Sequence, residues 1–289
     1  MKSRTTLKLI QGCMILAVTS LILGGCKKAT PTTDSETTSS NENAFAQSRF
    51  NESGSISDQA ASGSLSSYRL APGAGTGSLL SACATLTFDT INHSNPDTII
   101  INFGTTNCLC SDLRYRRGII YVTYTKPHYW DSLDVITLSF SNYYVNDYGI
   151  SGVKTMTNEG RINGQSTYNS TVTNGMITKP ANSGGGSYTY NENITRKWTA
   201  GESTPLIWFD DVFQYTGSSN GVSSTGSGYT ATITNPLVYK LDCPEWIVQG
   251  TIDFTPIGKA TRVIDFGTGN CDNICTVTIS GTVYTLYMW

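Results

Sequence analysis

Charge is what this chain has least of: 14% of its 289 residues are Asp, Glu, Lys or Arg, against roughly 25% in ordinary soluble domains. Histidine occurs only 2 times, as His93 and His128, which leaves little imidazole for acid-base work or metal ligation. No run of about 20 apolar residues is present, so no membrane-spanning helix is expected. Basic residues cluster only at Arg114, Arg116 and Arg117, too few for a phosphate-binding face, and a nucleic-acid partner is not expected. What the chain does hold is 28 Gly and 16 Tyr with a surplus of Ser and Thr, a mixture that favours strands and turns over helices.

The first residues have the layout of a secretory signal. Met1 to Lys8 is basic, Leu9 to Leu23 is mostly apolar, and Gly24 and Gly25 precede Cys26. Leu23-Gly24-Gly25-Cys26 resembles the bacterial lipobox, which implies a signal peptide over 1–25, cleavage before Cys26 and an acylated N-terminus. Three acyl chains would hold such a protein on a membrane almost permanently. Loss of Lys2, Arg4 and Lys8 from the 19 basic residues leaves 16 against 21 acids, a net charge of -5.

Residues 26–78 are poor in large apolar side chains and read as a flexible Ser/Thr-rich tether, dispensable for folding. At most one short helix is expected there, capped by Asn43, with Ala46, Phe50 and Ala60 partly sharing a face. Residues 79–289 then form a single β domain. Ile101-Asn-Phe-Gly-Thr-Thr-Asn-Cys108 and Ile264-Asp-Phe-Gly-Thr-Gly-Asn-Cys271 agree at six of eight positions, 163 residues apart, which marks an internal repeat with units of about 83–125 and 243–289. Each unit reads as a hairpin with cysteines at both ends and a third strand after it. Phe103 and Phe266 should turn inward, with Gly104 and Gly267 at bends.

Between the units, segments such as Val135 to Ser141, Ile150 to Thr157, Thr167 to Thr173 and Ser187 to Trp198 mix apolar residues with Thr, Ser and Tyr. Asn146-Asp147, Asn158-Glu159-Gly160, Asn163-Gly164, Gly184 to Gly186 and Ser218 to Gly228 separate them, as hairpin turns do. The expected fold is all-β, an antiparallel sandwich or a strongly curved meander sheet. Parallel βαβ folds are excluded by the missing crossover helices. The lipobox, the Ser/Thr-rich stalk, the I-x-F-G-T-x-N-C element, Arg114 to Thr125 and Phe140 to Asp147 together resemble lipoproteins of Bacteroidota that carry no assigned activity. That resemblance implies an envelope location, at the outer membrane on its periplasmic or surface face, and brings no catalytic residues.

With Cys13 lost in the leader and Cys26 lipidated, six cysteines remain: Cys83, Cys108, Cys110, Cys243, Cys271 and Cys275. An even set in an exported protein suggests three disulfides, and only two His are available for the rival zinc reading. The repeat favours Cys83–Cys108 and Cys243–Cys271, leaving Cys110–Cys275 to bridge the units. The segment around His128, Tyr129 and Trp130 mixes imidazole, rings and the Asp131 carboxylate, and is the candidate ligand-binding loop; its alternative is packing over a sheet edge. Asp131 with Asp134, and Asp210 with Asp211, read as solvated surface acids, since neighbours on a strand point to opposite faces and cannot flank one bond. The one Gly-x-Ser-x-Gly run, Gly217 to Gly221, is followed by no helix pattern and so is not read as a nucleophile elbow. Hence no catalytic residue, cofactor or metal is expected, and the leading reading is a non-enzymatic binding or structural module with a protein or glycan partner. A carbohydrate-binding variant would stack sugars on Trp130, Tyr143, Tyr144, Trp198 and Trp208. An envelope hydrolase would need His128 or an acid beside a nucleophile.

Overall fold

The computed structural model describes residues 34–63, 80, 83–89, 97–204, 207 and 209–288. The expected signal peptide, Cys26 and tether residues 64–78 lie outside them. Residues 35–289 belong to one compact unit. It comprises one α-helix, α1 (Thr38–Gly63), and the strands β1 (Thr85–Asp89), β2 (Asp97–Asn102), β3 (Cys108–Leu109), β4 (Tyr115–Tyr124), β5 (Val135–Val145), β6 (Tyr148–Ile162), β7 (Gln165–Thr178), β8 (Ser187–Ala200), β9 (Val212–Val222), β10 (Gly228–Lys240), β11 (Cys243–Pro256), β12 (Arg262–Thr268), β13 (Ile274–Ile279) and β14 (Thr282–Tyr287). Every pairing is antiparallel, and the strands follow one another in chain order, β3 alone branching off to pair β4. The fold is therefore the curved meander rather than the sandwich.

Hairpin turns fall where the sequence places them. Asn146-Asp147 and Asn163-Gly164 hold positive φ at both residues, the backbone twist that a two-residue hairpin needs. Ser280-Gly281 holds it too, and there the single third strand expected in the second unit is divided into β13 and β14. The expected separator Ser218 to Gly228 is strand β9 as far as Val222. Asn158-Glu159-Gly160 is different. It is a kink inside β6, where the Asn158 amide donates to the carbonyls of Trp130 (3.0 Å) and Asp131 (3.1 Å).

Laid flat, the thirteen strands of the main order would span roughly 60 Å, yet side chains from β4, β5, β6, β8 and β9 all reach α1, and Arg262 of β12 reaches Glu36 just before it. The sheet must curl around the helix. Glycines at register shifts supply the bend. Gly118 (φ +92) interrupts the β4–β5 register, and a Cβ there would lie 1.9 Å from the Asn142 carbonyl oxygen. Gly152 in β6 meets Gly175 of β7 so closely that its Cβ would sit 2.7 Å from the Gly175 Cα.

The two faces of the sheet differ. Outward, Thr98, Thr123, Thr137, Thr155, Thr171, Asn193, Ser218 and Thr232 stand directly opposite one another across β2 to β10, a wetted polar row. Inward point Ile120, Val122, Ile136, Leu138, Met156 and Ile194, as the alternation of period two requires.

The tether expectation fails over 38–63. Those residues are a 26-residue helix, and residues 42–62 are buried without exception. Glu36 starts it by accepting hydrogen bonds from the Ser39 N–H and hydroxyl, each at 2.9 Å. Asn43 is no cap; it lies inside the helix and accepts from the Ser219 hydroxyl at 2.8 Å. Apolar residues are few and spread around the axis, so the helix has no stripe to reveal it. Phe50 nonetheless stacks on Tyr190 at 5.6 Å and meets Phe140 edge-on at 6.0 Å, while Ala46, Ile56 and Ala60 are fully enclosed.

Both repeat-related elements have the same local geometry. Asn102 accepts from the Gly104 N–H and Asp265 from the Gly267 N–H, each at 2.8 Å, both glycines have φ above +80°, and Phe103 and Phe266 are buried. Disulfides join Cys83 to Cys108 and Cys243 to Cys271, with Cα separations of 5.9 and 5.7 Å. The third expected bridge does not form: Cys110 and Cys275 are free, buried thiols in different apolar clusters. β2 and β12 are second and eleventh in the sheet order, an odd number of steps apart, so the two units run in opposite directions. Burial pushes the Cys275 thiol up to about 12, which leaves it inert at neutral pH.

Candidate functional site

The inner face of the sheet carries cations, and α1 together with Glu36 just before it brings an acid to each region of it. Arg262 pairs with Glu36, Lys179 with Glu42, Arg114 and Arg116 with Glu52, and Arg196 with Asp58. At the middle of the helix, Glu52 receives Arg49 at 2.6 Å and Arg114 at 2.7 Å as well as Arg116, whose other partner is Asp112. Burial would raise the Glu52 carboxyl, but Arg49, Arg116 and Arg114 together outweigh it and hold it at about 2. Arg49 is lowered to about 10 by burial and by Arg114. A second pair, Lys154 and Glu192 at 2.9 Å, lies beside Tyr190, whose hydroxyl donates to Glu192 at 2.7 Å. These groups are tied to one another and form the polar interior.

At the start of α1 the arrangement opens. A cleft of about 530 Å³ is lined by Thr37, Thr38, Asn41, Glu42, Phe45, Tyr148, Lys179, Asn182, Ser183, Tyr188 and Leu286. A smaller one of about 240 Å³ adjoins it along Phe45, Tyr148 and Ser183. Lys179 donates to Glu42 at 3.1 Å and to the Ser224 hydroxyl at 2.9 Å, and the Ser224 N–H donates to Glu42 at 2.9 Å. The charges in the wall are thereby neutralised and fixed. Phe45 and Tyr148 pack at 4.7 Å and give the cleft an aromatic side. Burial, with Glu42 nearby, pushes the Tyr188 hydroxyl well above its ordinary range, so it stays a hydrogen-bond donor. The cleft thus offers a ring face, amides, hydroxyls and a carboxylate, the chemistry that orients a small polar ligand.

The loop singled out by sequence is taken apart by the structure. Tyr129 is buried and seals α1 against the sheet: its hydroxyl donates to Asp58 at 2.9 Å and lies 2.8 Å from the Ser57 hydroxyl. Trp130 packs edge-on to Tyr129 at 4.7 Å and near Trp198 at 6.2 Å. His128 alone points out, 80% exposed, with Asp131 3.3 Å from Nδ1. Of the proposed sugar platforms, Tyr143 is buried, Trp198 packs on Phe213, and Tyr144 is covered by the Arg117 guanidinium at 3.8 Å; Trp208 lies outside the described residues. Nor are all the paired acids surface groups. Asp134 is buried and accepts from the Thr125 and Lys126 N–H groups at 2.7 and 2.9 Å, and Asp211 is buried while its neighbour Asp210 accepts from Thr204 at 2.6 Å. Among the described residues no cluster of three or more His, Cys, Asp or Glu could hold a metal, and no helix is long and apolar enough to cross a membrane. The cleft is not legible in the sequence, because Lys179, Tyr148 and Tyr188 carry no local pattern. They become a site only when α1 occupies the sheet.

The chain matches no protein-family model, no curated protein and no solved structure.

Proposed function

We propose that the chain is a lipid-anchored envelope lipoprotein at the outer membrane, acting as a non-enzymatic binding module whose site is the cleft at the start of α1. The single observation that carries this reading is the cleft itself, which joins an aromatic wall to a neutralised Lys179–Glu42 pair and fixed hydroxyl and amide groups. Such a wall suits a saccharide unit, whose C–H face packs on a ring while its hydroxyls take the polar groups. Tyr148 replaces the tryptophans as the stacking surface, with the buried Phe45 packed against it. The disulfides Cys83–Cys108 and Cys243–Cys271 support an oxidising compartment. The matching Asx-Phe-Gly geometry of the two units supports reading them as copies of one repeat.

Anchoring would place the cleft close to the membrane. Thr37 on its wall is 11 residues from Cys26, which at full extension is at most about 40 Å. The helix has absorbed 26 residues, about half of the expected stalk.

Two measurements test the proposal. Cys26→Ser in cells should leave unprocessed precursor without fatty-acid label, and normal labelling overturns the anchor. Saturation-transfer NMR of the lipidated full chain in detergent with cellobiose, maltose and chitobiose should give transfer that Tyr148→Ala abolishes. No transfer from any of the three, or transfer untouched by the substitution, overturns the cleft as a saccharide site.

A further inference from the structure

The bonding between α1 and the sheet is of an unusual kind for an internal helix. α1 adds nothing to the backbone ladder, which runs unbroken from β1 to β14. It is held by a few apolar side chains and by a row of acids matched to cations: Glu42 to Lys179, Glu52 to Arg114 and Arg116, Asp58 to Arg196. Several of its buried polar atoms have no protein partner, namely Ser40 Oγ, Asn43 Nδ2, Gln47 Oε1, both amide atoms of Asn51, and Ser55 Oγ. An unpaired buried polar atom lowers the free energy of opening, and because α1 shares no ladder bond with the sheet it can leave as a unit while the strands stay paired. Once out it remains soluble, being rich in Ser, Asn and acids.

Residues 64–79, 16 in number, lie between α1 and Leu80, which is buried and whose N–H donates to Gln59 at 3.4 Å. They include Pro72, Gly73, Gly75 and Gly77 and can extend to roughly 55 Å. That exceeds the length of the helix itself, roughly 39 Å. From these facts we infer that the inner face of the sheet is a receptor for an α1 helix supplied in trans by a second copy of this chain, giving reciprocal exchange between two molecules. Contacts in the exchanged pair are the same as in one molecule, because each sheet still receives the same helix; only the path of the connector differs. In solution the helix on its own connector has an effective concentration in the mM range, so self-insertion dominates until it is impaired or copies are crowded.

Charge reversal separates the two arrangements. One full-length chain carries Asp58→Arg and another Arg196→Asp, so each helix meets a like charge in its own sheet. Mixed during refolding, the first chain's helix fits the second chain's sheet, and the second helix fits the first sheet as far as the native pair does. The expected result is a heterodimer by light scattering, present only in the mixture, with both single variants monomeric or aggregated. Monomers or aggregates alone in the mixture, beside a well-folded Asp58→Arg/Arg196→Asp chain, overturn the inference. A second measurement does not depend on those variants folding. The otherwise native full chain, given a protease site within 66–75 and nicked after folding, is incubated with a hundredfold excess of fluorescent peptide 34–63. Uptake of label, reduced at least tenfold by Asp58→Arg in the peptide, supports the receptor; retention of the original helix with no uptake near the unfolding midpoint overturns it.

Discussion

The two ends of α1 use the same chemistry at different depths. At its start, Glu42 meets Lys179 on the wall of a cleft, with Lys179 19% exposed. Two turns and more further on, Glu52 meets Arg49, Arg114 and Arg116, and Asp58 meets Arg196, with every side chain at 5% exposure or less. Depth decides what a charge pair does. A buried pair stabilises little relative to an apolar replacement, but breaking it strands a charge with nothing to solvate it. Where the partner left behind reaches water, as Lys179 does beside the buried Glu42, losing the pair costs less. The interior pairs therefore fix where α1 sits, and the rim pair is left to serve the cleft.

Glu52→Gln should show the largest effect. It removes the acid that three guanidinium groups share, while Arg116 keeps Asp112. The expected loss is about 3–5 kcal/mol of unfolding free energy, measured by denaturant titration. A loss under about 1 kcal/mol would mean the interior behaves like the rim and the comparison collapses.

Acid should reproduce part of that loss in the native chain. The Glu52 carboxyl is held at about 2, below its ordinary 4.5, so its contribution is complete above about pH 4.5 and disappears as pH falls towards 2. A difference of that size corresponds to about 3 kcal/mol. The unfolding midpoint should fall steeply across this window in the native chain and less steeply in Glu52→Gln.

Much of the sheet is legible in the sequence, because its signals are local. Thr137 and Thr155 alternate with Ile136 and Met156, and Asn163-Gly164 can only be a tight turn. The bridges Cys83–Cys108 and Cys243–Cys271 close loops whose ends the hairpin pattern already brings together. What escapes is whatever depends on distant residues. Glu52 and Arg116 are 64 residues apart and Glu42 and Ser224 are 182 apart, so α1 reads as a disordered tether until the cations that hold it are in place. The curvature escapes for a related reason: Gly118, Gly152 and Gly175 look like ordinary turn formers, and only the strands facing them make them bends. Tyr129 reads as a recognition residue in the sequence because an aromatic next to His128 and Asp131 looks the same whether it binds a ligand or seals a core.

Tyr129→Phe sharpens the contrast at the inner end. It removes one hydrogen bond to Asp58 and one with Ser57 while leaving Arg196 on Asp58. A loss of about 1–2 kcal/mol is expected, with saccharide transfer at the cleft unchanged. Loss of that transfer at native stability would return the loop to the list of recognition elements.

Glu42→Gln, the same substitution at the outer end, should cost least. The amide keeps an oxygen for the Ser224 N–H, which now donates to the carboxylate at 2.9 Å, and Lys179 keeps the Ser224 hydroxyl at 2.9 Å. Water reaches the lysine, so no charge is stranded, and the expected loss is below about 1 kcal/mol. Its consequence lies in binding. With the carboxylate gone, the cleft loses its strongest hydrogen-bond acceptor and gains the free charge of Lys179. Neutral saccharides should therefore bind several-fold more weakly to a chain of nearly native stability. The opposite pattern, a stability loss as large as that of Glu52→Gln with saccharide binding intact, would show that Glu42 belongs to the interior lock and that depth along α1 does not divide the helix into a structural and a binding end.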